Sequence, residues 1–492
     1  MKDHDKSGQS VDRRRFIETA GATGVVALAG CSGDGDSGDG DTGGTTDNGG
    51  SQDTVTVQWA ADPRLAEQID VFTEEMREAG LPDHIELDII AGSNVTDDRQ
   101  DQYTQWLNSE RSEPDLLNLD SGWTVPFIVR GQTENLEDHL SSDLVDSIHD
   151  EYFDNALLTA VDDDGVLNAL PMWVGLPAMM YRKDLVEDAG YDPEGENWAT
   201  ESITWQEFSQ VISDVLDEND DLDMGYTFQA NDYEGLSCCN FNEFISSWGG
   251  AYFGGDLLGP IGERDITVNE QPVLDSIRMI RTFIHGQDDE HSLDGYEGPI
   301  SPESVVQMTE QTSLDPFLSG NAVANRNWPS FIQEAASDEN FGEDLGVMPI
   351  PYAVTSEEAT YEGRGGPVGA LGGWHLAMNP YSEKKEAAAE VMAAMTADNV
   401  LLNGIFDAVG QIPPKAQVLA SDGAQDIPVI GRYVDTLRVV GENAIPRPAT
   451  AVWPQQSSEI SGEVNSTYNQ QKSPEEAMSD LEESLDSIEQ SV

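Results

Sequence analysis

From Thr54 onward the apolar positions fall into short runs and helical stripes in regular alternation. "VTVQWA" predicts a strand, "LAEQIDVFTEEMREAG" an amphipathic helix closed by Gly80, and "IELDIIAG" a second strand. "DRQDQYTQWLNSE" reads as a helix with Tyr103, Trp106 and Leu107 on one face, and "PDLLNLDSGW" as a buried strand stopping at Asp120. Strand, helix, strand, helix, strand predicts parallel pairing with crossover helices. Ligands gather at the carboxyl ends of strands in such sheets, so Asp120 is better placed than the other acids.

A second α/β region starts at "LNALPMWVGLPAMMYRKDLVEDAGY". It continues with a helix capped by Thr204 and with "GYTFQANDYEGL", a strand leading into a loop. "PVLDSIRMIRTFIHG" is a further helix, ended by Gly286. "YSEKKEAAAEVMAAMTADN" is an Ala-rich helix with Ser382 as its expected cap. In "SPEEAMSDLEESLDSI", Ser473, Pro474 and Glu476 predict a capping box, and Ala477, Leu481, Leu485 and Ile488 an apolar stripe for packing.

Charge changes the picture of where the chain works. Its 24 Lys and Arg stand against 93 Asp and Glu, a net charge of -69 spread along all 492 residues. Nucleic acid needs clustered basic charge and is excluded as a partner. A protein this acidic repels itself in dilute buffer, but at ~1 M salt the Debye length is ~3 Å and the repulsion is screened. The composition therefore points to strong brine.

The first residues are an address. Arg13, Arg14, Arg15, Phe16 and Ile17 resemble a twin-arginine export signal. A short apolar stretch then runs into "LAGC", which predicts a lipid anchor on Cys31. Residues 32–54 are Gly, Ser, Thr and Asp with scarcely an apolar side chain, a hydrated tether. The remaining cysteines, Cys238 and Cys239, are adjacent, and either a disulfide or two reduced thiols fits the sequence. No metal-ligand spacing occurs among Cys and His, so neither a metal nor a cofactor is expected. Asn94 and Asn465 fit the glycosylation acceptor pattern.

"GALGGWHLAMN" poses a local question, because Trp374 follows Gly372 and Gly373 inside an apolar run. Two glycines let something approach the backbone closely. The run is either a tight turn into a core strand or a stacking platform for a flat-faced ligand.

Six segments in order carry a resemblance. "PDLLNLDSGW", "LPMWVGLPAMMYRKDLVEDAGY", "YEGL", "NRNWPS", "ALGGWHLAM" and "NAIPRP" precede the closing "SPEEAM" helix. Together they resemble the family 1 extracellular solute-binding proteins of ABC importers, closest to the trehalose/maltose type. The resemblance implies an α/β fold: a two-lobed clamshell of the class II type, each lobe a β-sheet flanked by helices. It implies lobes built from 55–170 plus 366–410 and from 171–365 plus 411–492, with crossings near Leu170, Gly366 and Gln411. It also implies a monomer that takes a sugar and hands it to permease subunits backed by a cytoplasmic ATPase.

Carried over by motif, Asp120 is a carboxylate for sugar hydroxyls, and Arg99 and Arg447 are cleft arginines. Trp328 and Trp374 are aromatic platforms, Trp173 a further aromatic, Thr96 a short polar side chain, and Gly373 a backbone contact. Such a set suits a pyranose, whose C–H face packs on aromatic rings and whose hydroxyls bond to charged planar groups. One position departs: the family's acid two residues after Trp173 is here Gly175, which implies free volume beside Trp173 and a changed sugar preference. Three rivals stay open on the residues alone. They are a secreted glycoside hydrolase, a binding protein for a polyamine or peptide, and a structural surface protein.

Overall fold

The computed structural model describes residues 53–93, 95–162, 164–255, 261–448 and 450–491. The twin-arginine segment, Cys31, nearly all of the tether and Asn94 lie outside them.

The first sheet contains β1 (Val55–Ala61), β2 (Ile85–Ala91) and β3 (Leu116–Asp120), with β4 (Leu170–Gly175), β9 (Gly369–Met378) and β10 (Ala444–Pro446) on its other side. β1 pairs in parallel with β2 and β3, as a chain of crossover helices requires. β9 then enters antiparallel between β3 and β4. All of β3 is buried, which is why "LLNLD" reads as a run without alternation. Its one polar interior side chain, Asn118, donates through Nδ2 to the His375 carbonyl of β9.

β5 (Ala178–Arg182), β6 (Met224–Thr227), β7 (Ala322–Asn327) and β8 (Leu345–Met348) form the second sheet, in the order β6-β7-β5-β8. Helices Trp205–Glu218, Gln271–His285, Trp453–Tyr468 and Pro474–Glu489 contribute to the core beside it. Thr204 caps the first of these in a full capping box with Glu207. A further apolar cluster, with Met180, Phe317, Val347 and Leu437, packs around the same sheet.

Core membership changes within β4, within β9 and after the wide helical turn Val400–Ala408. Trp173 belongs to the first core and Val174 to the second lobe's cluster; Ala370 belongs to the second and Leu376 to the first; Val409 belongs to the first and Ile412 to the second. β9 is thus a shared strand, and the cleft forms around its middle.

Two capping expectations need correction. Ser382 does not cap the Ala-rich helix, which spans Lys385–Met395 with Lys384 at the N-cap. Its hydroxyl instead donates to Asp115 Oδ1 at 2.6 Å, because a fully buried carboxylate must be satisfied. At Pro474–Glu489 only half of the capping box is made: Ser473 accepts from the Glu476 N–H, and the described residues show no return bond. Its stripe is as expected at Ala477, Leu481 and Leu485, while Ile488 is only partly covered and the neighbouring Glu489 is buried.

Candidate functional site

A cavity of about 270 Å³ lies where the lobes meet, and Thr96, Arg99, Asp120, Trp173, Trp328, Gly373, Trp374 and Arg447 all line it. Some arrive from element ends and others, Trp173, Gly373 and Trp374, from inside β4 and β9. Asp120 ends β3 and caps helix Ser121–Val129, accepting from the Gly122 N–H at 2.7 Å. Thr96 opens helix Thr96–Asn108, whose N-cap residue Val95 makes no side-chain cap bond and also lines the cavity. The Thr96 hydroxyl itself accepts from Trp123 Nε1 at 3.1 Å.

Arg99 is the site's most telling residue. Its guanidinium carbon stands 3.7 Å from the Trp374 ring centroid. The side chain is 3 % exposed, and Nε and Nη1 have no partner among the described residues. Burial pulls its pKa below the ordinary arginine value, with Asp62 opposing that shift. Two donors of a buried cation left unbonded beside a cavity are costly unless something enters to accept from them.

Arg447 is already committed. Nη1 meets Glu234 Oε1 at 2.7 Å and Asp120 Oδ1 at 3.0 Å, and Nη2 donates to Ser121 Oγ at 3.3 Å. Among the described residues Nε is left without a partner. Gly122 makes this packing possible, since a Cβ there would sit 2.4 Å from Arg447 Nη1. Asp120 uses Oδ1 for both its bonds, and burial raises its pKa while Arg447 opposes the rise. Among the described residues its Oδ2 takes no partner.

The double glycine has a different reason from the expected one. Gly372 and Gly373 lie inside β9, neither at a positive φ, so there is no turn. A Cβ on Gly373 would come 2.9 Å from the Trp173 carbonyl of β4, where the pairing shifts register. A Cβ on Gly372 would sit 3.3 Å from Trp328 Cη2, and one on Gly175 3.2 Å from Trp328 Cζ3. Gly175 and Gly372 together form a slot for the Trp328 ring. The free volume expected beside Trp173 at Gly175 is therefore filled, and Trp173 is only 2 % exposed. Trp374 likewise does not offer a bare face on the side where Arg99 lies.

Sequence reasoning missed several neighbours. Glu234 sits in the quoted "YEGL" segment, and its carboxylate accepts from Arg447, Trp453 Nε1 and Ser457 Oγ. Arg64, on the short helix after β1, reaches across to Ser330 Oγ at 2.7 Å and lies over Phe331. Asp97 is pushed up to about 7, by burial first and then by Glu234, Asp120 and Glu310. Cys238 and Cys239 are joined in a disulfide and also line the cavity. Among the described residues no group of three or more His, Cys, Asp or Glu is placed to hold a metal ion.

A cleft between two α/β lobes, lined by aromatic rings and buried charged groups, defines a binding protein. Residues 83–430 match the bacterial extracellular solute-binding protein family, and the chain belongs to it. A probable ABC transporter-binding protein of Deinococcus radiodurans is 26 % identical over 396 residues, 79 % of this chain and 83 % of the relative. The maltose-bound MalE3 of T. maritima superposes with a TM-score of 0.71 at 24 % identity, covering 87 % of this chain and 98 % of that one. A solute-binding protein of Thermotoga lettingae bound to α-D-tagatose gives 0.70 at 20 % identity, over 89 % of this chain and all of the other. These two share the two-lobed fold.

Proposed function

We propose that the protein captures a sugar between its lobes and delivers it to the permease subunits of an ABC importer. The observation that carries the reading is the buried Arg99 guanidinium on Trp374, whose Nε and Nη1 find no partner among the described residues, in a cavity also walled by Trp173 and Trp328. Indole faces take C–H groups of the ring, while Arg99 donates to hydroxyls and Asp120 Oδ2 accepts from them. Thr96 and Gly373 shape the rim, and Arg447 holds Asp120 in place from β10. At about 270 Å³ the cavity is near the lower end of small-molecule sites, ~300–1,000 Å³, which favours a mono- or disaccharide. The relative's name supports the ABC role, and the maltose and tagatose complexes support a sugar.

The test is calorimetry in molar NaCl with glucose, maltose, trehalose and tagatose. At least one should bind, and Trp374→Ala should abolish that heat. Binding of none, with heat from a polyamine or peptide instead, refutes the sugar. Release of reducing ends would point to a hydrolase.

In this reading the lobes comprise the expected 55–170 plus 366–410 and 171–365 plus 411–492, with the exchange of cores falling a few residues further along, after Trp173 in β4 and after Ala370 in β9, and the molecule acts as a monomer. It is exported by the twin-arginine route and held on the outer face of the membrane by a lipid on Cys31. Cys31→Ser should move it into the medium; retention in the membrane fraction would refute the anchor. The charge of -69 suits a saline habitat.

A further inference from the structure

We propose that the Cys238–Cys239 disulfide is itself a contact surface for the solute, and that only the oxidised protein binds with full affinity. The inference rests on the cavity being the sugar site. The bond joins adjacent residues. A disulfide stabilises chiefly by closing a loop, by an amount that grows with the loop's length. A bridge between neighbours closes almost none, so stapling the fold does not account for it.

Its location supplies another role. The cysteines lie in a wide helical turn, Leu236–Asn240, that runs directly into helix Phe241–Ser247. Such turns recur at functional sites. Both cysteines line the cavity from the second lobe's core, whereas Trp374 packs against the first core. The turn is held on both sides: Ser237 Oγ is 2.6 Å from Ser457 Oγ, and Asn240 Nδ2 donates to Gln229 Oε1 at 2.9 Å.

The chemistry follows. Two bonded sulfurs carry no hydrogen-bond donor and cannot rotate apart, so they present a small, rigid, polarizable apolar wall. Two thiols in the same place would be larger, would rotate independently and would carry S–H donors. A pyranose has an apolar C–H face, and a rigid apolar wall in the cavity that Trp374 also lines suits a ring that offers C–H groups on both faces.

The experiment uses the full chain in molar NaCl, with maltose, trehalose, glucose and tagatose as calorimetric probes. In the oxidised protein Cys238 and Cys239 should resist iodoacetamide, as read by mass spectrometry of the peptide that carries them, and the protein should bind at least one probe. After reduction with a phosphine the affinity should fall about tenfold, as expected when apolar contact is lost, and reoxidation should restore it. Circular dichroism of the reduced form should stay native. Cys238→Ala/Cys239→Ala, which cannot be reoxidised, should show the reduced affinity in both conditions. Saturating sugar should slow the reduction, since it covers the sulfurs. Equal affinity of oxidised and reduced protein overturns the proposal and leaves the sugar reading standing. Alkylation of the Cys238–Cys239 peptide without reductant overturns it by showing free thiols there. Failure of every probe on both forms refutes the sugar reading, and this proposal with it.

Discussion

Replacing Arg99 by methionine separates a ligand contact from a fold contact, because the two roles predict opposite signs. The residue is 3 % exposed, with Nε and Nη1 unbonded among the described residues. Each unsatisfied buried donor costs ~1–3 kcal/mol, against ~0.5–2 kcal/mol returned by the stacking on Trp374. A methionine of similar reach keeps much of the packing and part of the ring contact. Arg99→Met should therefore leave the melting temperature in brine unchanged or raise it. Binding should suffer instead. Hydrogen bonds to a charged group are worth ~1.5–3 kcal/mol each. For the two free donors that gives ~3–6 kcal/mol, or roughly 10²- to 10⁴-fold in Kd at ~1.4 kcal/mol per tenfold. Calorimetry with the cognate sugar and differential scanning calorimetry together read both quantities. An affinity within threefold of wild type, or a collapse of the melting temperature, would show that Arg99 serves the fold and would remove the main support for the site.

Two other predictions follow from the cleft. Gly175→Ala places a Cβ 3.2 Å from Trp328, whose ring is backed by Arg326 at 4.3 Å, so overpacking should cost ~1–3 kcal/mol of stability; an unchanged melting temperature refutes the slot. Asp97, at about 7 in the folded chain against 3.8 as a free side chain, keeps its proton longer when folded, so its contribution is full below pH 3.8 and is lost as pH rises through 7. Asp97→Asn should thus raise the melting temperature at pH 8 and change it little near pH 4; an equal effect at both, or none at pH 8, refutes the strain.

How far the sequence disclosed this depended on whether a signal was local. The parallel β1, β2 and β3, the Thr204 cap and the helix ending at Gly286 are local patterns, and they stand as read. The antiparallel entry of β9 beside β3 joins residues more than 250 apart, and no periodicity reports such a pairing. Site residues were reached by motif, and the eight converge on one cavity. Their partners were not reached. Glu234 is one of 93 acids, and only its bonds to Arg447 and Trp453 distinguish it. Gly372 and Gly175 looked like gaps left for a ligand because the residue that fills them, Trp328, lies far away in the chain. A glycine reports that something is close; it does not say what.

The charge also decides how such a cleft can recognise anything. Arg99, Arg264, Arg281, Arg326, Arg364, Lys415 and Arg447 are buried, so a chain with only 24 basic residues places many of them inside. At ~1 M salt electrostatic reach shrinks to ~3 Å in solvent, and long-range steering of a ligand is lost. The Arg447 contact to Glu234 at 2.7 Å lies within that reach, and both it and the stacking of Arg99 on Trp374 at 3.7 Å are sheltered from the salt by burial. Fold and binding should therefore respond differently to dilution. Circular dichroism should show the structure failing as NaCl falls from molar to millimolar, because the surface of the chain at -69 is no longer screened. The Kd for a neutral sugar should stay flat over the range in which the spectrum remains native. A spectrum unchanged to millimolar salt would remove the halophile argument. A Kd that drifts steeply while the spectrum holds would mean that the outer acids act on the ligand, and that the cleft is not the closed electrostatic unit its geometry describes.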